Sequence, residues 1–377
     1  MVSLGKVRVG VVAILLSLPG LAVGQQSLQT APAAVRQAVG QGSQALQHGQ
    51  FTAAEAAFRK ALQMAPNLTE VRANLGLAYY AGHQYAQAVE TFQRVEKEQP
   101  GLRTPHAFLP LSLAALGRCP EAIPGLQREF TRYPDLQLRR VLGLSLQRCL
   151  EATGDQAGLA AVTGQLVKQY PDDVDVLYES GRIYGQLSSG LYLKMLKLAP
   201  HSPRGYQLTA QVLASEGKWQ EAIQSDRKAL ALAPAMPGLH LQIATLLLTN
   251  STDPNAWRQG EAELQKELQV APDSAAAEYE LGEVWRKHGQ TQQAETALQA
   301  AIRLDPGFTD ARLSLAKLLR QQKQPQQALA VLKPARAGDP NNAAVHFLLA
   351  QLYRDLGQPE QARQEMQVFQ RLQPAGR

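Results

Sequence analysis

The stretch AAAEYELGEVWRKHGQTQQAETALQAAIRLDP, Ala275 to Pro306, decides the fold. Leu281 and Gly282 stand four and three residues before Trp285, and Ala294, Leu298 and Ala301 repeat that spacing, so each half carries its small and apolar residues on one helical face. Gly289 separates the halves and Pro306 follows the second. A glycine ends a helix by adopting a left-handed conformation, and a proline cannot continue a hydrogen-bonded turn. The stretch therefore reads as helix, turn, helix, stop.

The same punctuation recurs on both sides. Pro272, Pro306, Pro340 and Pro374 are spaced by 34, as are Pro66, Pro100 and Pro134, and also Pro200 and Pro234. Twelve residues before the proline of each regular unit stands an alanine: Ala54, Ala88, Ala122, Ala222, Ala294, Ala328 and Ala362. A glycine recurs five residues earlier still, at Gly49, Gly117, Gly217, Gly289 and Gly357. In the second unit Leu75, Gly76 and Tyr79 mark the first helix, and Ala88, Phe92 and Val95 the second. The small residues Gly76, Ala210, Gly282, Ala316 and Ala350 are expected to face the recurring alanine and let the two backbones approach.

These residues, and the unit Leu281, Gly282, Trp285, Gly289, Ala294, Leu298, Ala301, Pro306 above all, resemble the tetratricopeptide repeat family. The resemblance implies an all-α, right-handed solenoid of about ten stacked helix-turn-helix units from about Val35 to the C-terminus. It also implies that first helices line a concave, partner-binding surface. The expected organisation is a signal peptide at 1–24, a linker at 25–34, regular repeats at 35–134, irregular repeats at 135–272 with one regular unit at 201–234, and regular repeats at 273–377. Within the irregular part Pro171 follows Pro134 by 37 residues and Pro200 follows Pro171 by 29. The short unit, with Tyr184, Ser188, Ser189, Gly190 and Tyr192, is expected to carry a truncated second helix. Thr249 to Pro254 is expected to form an extended turn.

Composition agrees with helices. Aromatic residues are 6% of the 377, Ala, Leu and Gln are plentiful, and β-branched runs are scarce beyond the N-terminus, so little or no strand is expected. Lys6 and Arg8 precede the apolar run Val9 to Leu18, and Ala22-Val23-Gly24 suits cleavage before Gln25, the pattern of a secretory signal peptide. The expectation is a periplasmic or secreted protein, the alternative being one anchored by an uncleaved signal. The first cysteine is Cys119, so no thiol is available for lipoprotein attachment at Gln25. The net charge of +6, from 38 basic and 32 acidic residues, is mild and dispersed, which argues against nucleic acid as a partner.

The common catalytic signatures, HExxH, GxSxG, GxxxxGK[ST] and a strand-linked GxGxxG, do not occur, and no cofactor is expected. The histidines are scattered, with His48, His83 and His288 at or beside turns, where a polar side chain is unremarkable. Cys119 begins the second helix of the third unit, in the slot of Phe51, Tyr85 and Trp219, and Cys149 lies late on the antiparallel neighbouring helix. Two cysteines in an exported chain suit a disulfide; two buried thiols, or a redox pair beside Arg118 and Arg148, are the alternatives.

First-helix residues off the packing positions are the candidate partner-binding set: Tyr80, Phe108, Tyr178, Arg182, Tyr279, Glu283, Arg286, Lys317, Arg320, Phe347 and Arg354. Arg286, Arg320 and Arg354 recur every 34 residues and would form a stripe suited to an acidic segment, although an arginine near a helix end also simply complements the helix dipole. Some family members grip a C-terminal carboxylate with Lys and Asn on three first helices. Here Asn74 alone fits that pattern, and Val39, Ser43, Thr104 and Phe108 depart from it. The last unit is expected to be a monomer's end cap, with Gln361, Gln364, Glu365, Gln367 and Arg371 outward and Ala362, Met366 and Phe369 inward. The function expected is a non-catalytic scaffold for protein or peptide partners, with cell-envelope assembly as its suggested setting; the alternative is an exported enzyme with a site near the irregular middle.

Overall fold

A computed structural model describes residues 28–373, and among them the chain forms nineteen α-helices and no strand. The expected signal peptide lies outside the described residues. The chain divides into two compact units, 1–191 and 192–377. The first holds the helical hairpins α1 (Ala33–Gln47) with α2 (Phe51–Met64), α3 (Thr69–Ala81) with α4 (Tyr85–Glu98), α5 (Arg103–Ala115) with α6 (Cys119–Arg132), and α7 (Leu136–Thr153) with α8 (Gln156–Gln169). Next comes α9 (Val174–Leu198), a single helix that runs through the division.

The second unit holds α10 (Pro203–Ser215) with α11 (Trp219–Leu232), α12 (Leu239–Asn250) with α13 (Ala256–Val270), and α14 (Ala275–Lys287) with α15 (Thr291–Leu304). It ends with α16 (Thr309–Gln321) and α17 (Pro325–Gly338), then α18 (Ala343–Asp355) and α19 (Pro359–Leu372). The expected ten units are thus nine hairpins and one unpaired helix. Beyond neighbour packing, the substantial next-but-one contacts all join first helices: α1, α3, α5 and α7 in the first unit, and α12, α14, α16 and α18 in the second. First helices therefore form the tighter row within each unit.

The sequence punctuation maps onto these boundaries. Second helices stop two residues before the proline, as α4 does at Glu98 before Pro100. The intervening residue is forced out of helical geometry, with φ −145° at Gln99 and −144° at Ala233. The recurring turn glycines hold φ from 69° at Gly357 to 76° at Gly289. Two of the seven regular units lack that glycine, and there His83 and Lys323 take φ 60° and 61° themselves, a conformation that costs an L-residue about 1–2 kcal/mol.

One expectation is corrected at α9. The short unit has no truncated second helix, because Val174–Leu198 is one uninterrupted 25-residue helix. Ser188, Ser189 and Gly190 weaken helix propensity by about 1 kcal/mol or less each, but no proline or left-handed residue breaks the run. The long unit behaves as expected in outline: α12 still includes Thr249 and Asn250, and the connection spans 251–255.

The core explains the small residues, with a second correction. A Cβ at Gly76 would lie 2.6 Å from Cε1 of Phe92, and one at Gly282 would lie 2.7 Å from Cγ of Leu298. The small residue thus receives the side chain one turn beyond the recurring alanine, sixteen positions along the chain. That spacing pairs Gly42 with Phe58, Gly76 with Phe92, Gly282 with Leu298, Ala316 with Leu332 and Ala350 with Met366. Phenylalanine goes with glycine, whereas alanine faces a narrower side chain. Phe58 and Phe92 are fully buried, and burial of each contributes about 2–3 kcal/mol.

A further periodic feature gives no signal at the level of helix punctuation. Six residues after the proline, a basic side chain turns back onto the proline carbonyl: Arg72 onto Pro66, His106 onto Pro100, Arg312 onto Pro306 and His346 onto Pro340. Arg72 also pairs with Glu98, and His346 Nδ1 lies 2.5 Å from Glu365, which Arg336 contacts at 2.6 Å. Glu365 is therefore buried, not outward as expected for the end cap, while Gln361, Gln364 and Gln367 are not buried.

Candidate partner-binding groove

The first helices α14, α16 and α18, with the turn after α16 and the start of α17, line an open cleft of about 810 Å³. Arg286, Lys317, Arg320 and Lys323 supply cations to its wall, Ala344, Phe347, Leu348 and Pro325 an apolar wall, and Gln321, Gln351 and Asp355 the remaining polar groups. Four of the expected binding residues, Arg286, Lys317, Arg320 and Phe347, are thereby brought together. Lys323, Gln351 and Asp355 were missed. Asp355 had a signal in the spacing: Arg320 Nε donates to it across 35 residues, as Arg140 does to Asp175 in the first unit.

The three arginines of the stripe differ in their commitments. Arg286 makes a double hydrogen bond to Glu283 on its own helix, both at 2.9 Å. Burial raises the Glu283 carboxyl, but hydrogen bonds from Arg286 and Ser314 outweigh it and hold the group below the usual carboxylate range. Arg320 spans to Asp355 and Gln351 of the next first helix. Arg354 is exposed and, among the described residues, reaches only the Ala350 carbonyl, at 3.4 Å. Lys317 and Lys323 are exposed, without a carboxylate partner among the described residues. They are the cations most free to meet an incoming anion.

Phe347 keeps 39% of its surface exposed while resting on Phe369, ring centroids 5.0 Å apart. Tyr279 is half-buried against Phe308 at 5.0 Å, and that burial pushes its phenol up. On α9, Tyr178 is 65% exposed, and Arg182 binds Glu151 at 2.7 Å and Glu179 at 3.1 Å; neither belongs to the cleft.

Two expected binding residues are corrected. Tyr80 and Phe108 are buried in the first unit's core, packed edge to face at 5.2 Å, with Phe108 also stacked on Phe92. Position along a helix placed them on the surface, but neighbouring first helices pack on one another and cover them. Asn74 is likewise buried, its Nδ2 without a partner, so it is not displayed for a carboxylate clamp.

Cys119 and Cys149 meet as the antiparallel placement of α6 and α7 requires, Sγ atoms 2.19 Å and Cα atoms 4.9 Å apart. The flanking guanidinium groups are engaged elsewhere, Arg118 with Glu121 and Arg148 with Ser145. Among the described residues no group of three His, Cys, Asp or Glu side chains could hold a metal ion, and no helix is long and apolar enough to cross a membrane.

No curated protein sequence matches the chain. Among solved structures, MamA is 19% identical with a TM-score of 0.40, over 45% of this chain and 91% of that one. A MamA fragment from Desulfovibrio magneticus RS-1 is 18% identical at 0.40, over 45% and 94%. YrrB, described as a TPR protein with an unusual peptide-binding site, is 20% identical at 0.40, over 49% and 93%. Family comparison matches residues 45–107, 286–335 and 319–374 to one description reading tetratricopeptide repeat, and residues 255–308 to a second of the same description. With nine helical hairpins among the described residues and repeat matches over 45–107 and 255–374, the chain is a tetratricopeptide-repeat protein.

Proposed function

We propose that this chain is an exported, non-catalytic scaffold whose C-terminal groove captures an acidic segment of a partner protein. The cleft carries the reading: three arginine and lysine side chains on α14 and α16, Lys323 in the turn after α16, and the Asp355 carboxylate stand beside a partly exposed phenylalanine on α18. Such a surface supplies electrostatic attraction along the rim and an apolar pocket for an anchoring side chain. Cations beside an apolar wall, without a paired acid and base, support binding over catalysis. Export rests on the N-terminal pattern at 1–24 and on cysteine usage.

Fluorescence anisotropy with a labelled Asp/Glu-rich peptide containing one Leu or Phe tests the groove. K317E/K323E should weaken binding at least about tenfold and flatten its salt dependence, and F347A should weaken it without changing the salt slope. Equal binding of a neutral peptide of the same length, or no effect of K317E/K323E, would reject the groove. N-terminal sequencing of protein from envelope or medium fractions tests export: a start at Gln25 supports it, and an intact Met1 in the cytoplasmic fraction opposes it.

A further inference from the structure

Asp226, on α11, stands where the sixteen-residue pairing demands a core side chain. Counted from the recurring alanine, its position is that of Phe58, Phe92, Leu126, Leu298, Leu332 and Met366, and it follows Ala210 by the same sixteen residues. Its side chain is fully buried, and neither carboxylate oxygen has a hydrogen-bond partner among the described residues. The apolar core divides around it: Ala222 and Ile223, one turn before, belong to one cluster with Ile243 and Leu247, while Ala229, one turn after, belongs to another with Met236 and Leu239.

The helices packed on α11 are α10 and α12. Their titratable and charged side chains are Arg204 and Tyr206 on α10 and His240 on α12, and α11 itself adds Glu221, Arg227 and Lys228. Arg204 binds Gln207, Tyr206 meets His201 and Lys228, and His240 binds Glu263 at 2.6 Å. Among the described residues no charge offsets Asp226; burial acts on it, and raises its carboxyl to about 7.

We propose that Asp226 makes the α10–α11 hairpin a proton-controlled weak point, closed while the carboxyl is protonated and prone to local opening once it is ionised. The sign follows from linkage: the folded hairpin binds the proton more tightly than the open chain, whose carboxyl has the ordinary value near 3.8, so stability is fullest at low pH, falls as pH rises from about 4 to about 7, and levels off above that. Because each repeat leans only on its neighbours, opening loosens this edge of the second unit without unfolding α14–α19.

Hydrogen exchange of the full chain at pH 5 and pH 8, corrected for intrinsic exchange rates, tests this. Protection in α10 and α11 should fall about 100-fold between the two pH values, while α16–α19 changes far less. D226N removes the titration but keeps a buried polar group, so its protection should no longer depend on pH. D226L installs the residue that Leu298 and Leu332 provide in other units and should raise protection at both pH values. An unchanged pH dependence in D226N, or wild-type α10–α11 protection that follows α16–α19 at both pH values, would overturn the proposal.

Discussion

Gly76→Ala is the sharpest probe of the packing rule. The added methyl would sit 2.6, 2.8 and 2.9 Å from three ring carbons of Phe92, about 1 Å inside ordinary contact distance. Phe92 cannot yield, since it is fully buried and stacked on Phe108 at 6.3 Å. Overpacking of this kind costs about 1–3 kcal/mol. F92L alone should cost about 1 kcal/mol or more for the lost volume. Ala316 facing Leu332 shows that the alanine–leucine combination fits this register, so G76A/F92L should lose less than the sum of the singles, by at least about 1 kcal/mol. Urea denaturation of all four proteins, followed by exchange protection within α3 and α4, measures the cycle. Additive losses, or a neutral G76A, would refute the pairing of small and large residues.

Gly117 has φ 74°, and a Cβ added there would meet nothing within 4 Å, so G117A should cost about 1–2 kcal/mol through backbone strain alone, read from denaturant midpoints. Peptide mapping without reductant should recover Cys119 and Cys149 joined, and C119S/C149S should lower stability by about 3–4 kcal/mol, the entropy of a loop spanning 30 residues; two free thiols in protein from an oxidising compartment would reject the bridge. R72K should destabilise α3–α4 by about 1 kcal/mol, because an ammonium cannot reproduce the fork that holds both Glu98 and the Pro66 carbonyl. D226L should gain about 2–3 kcal/mol more over the wild type at pH 8 than at pH 5, the energy equivalent of the proton linkage at that site; equal gains at both pH values would contradict it.

What the sequence determined by itself was the local punctuation. Pro100 and Gly117 act through their own backbone geometry, and a 34-residue period needs no knowledge of neighbours, so helix ends, turns and the hairpin repeat were readable from residue types. Part of the C-terminal groove was readable for the same reason, since Arg286, Lys317, Arg320 and Phe347 lie on first helices that the repeat places side by side. Only the tertiary structure decided which exposed-looking positions stay exposed. Tyr80 and Phe108 are covered by the packing of successive first helices, Glu365 turns inward to meet His346, and α9 continues through serines and a glycine because nothing breaks it. Asp226 divides the two: the repeat register, four residues after Ala222, already marks a core position, but that the helices on either side close over the carboxylate without supplying a partner is a matter of which side chains the packing brings near it.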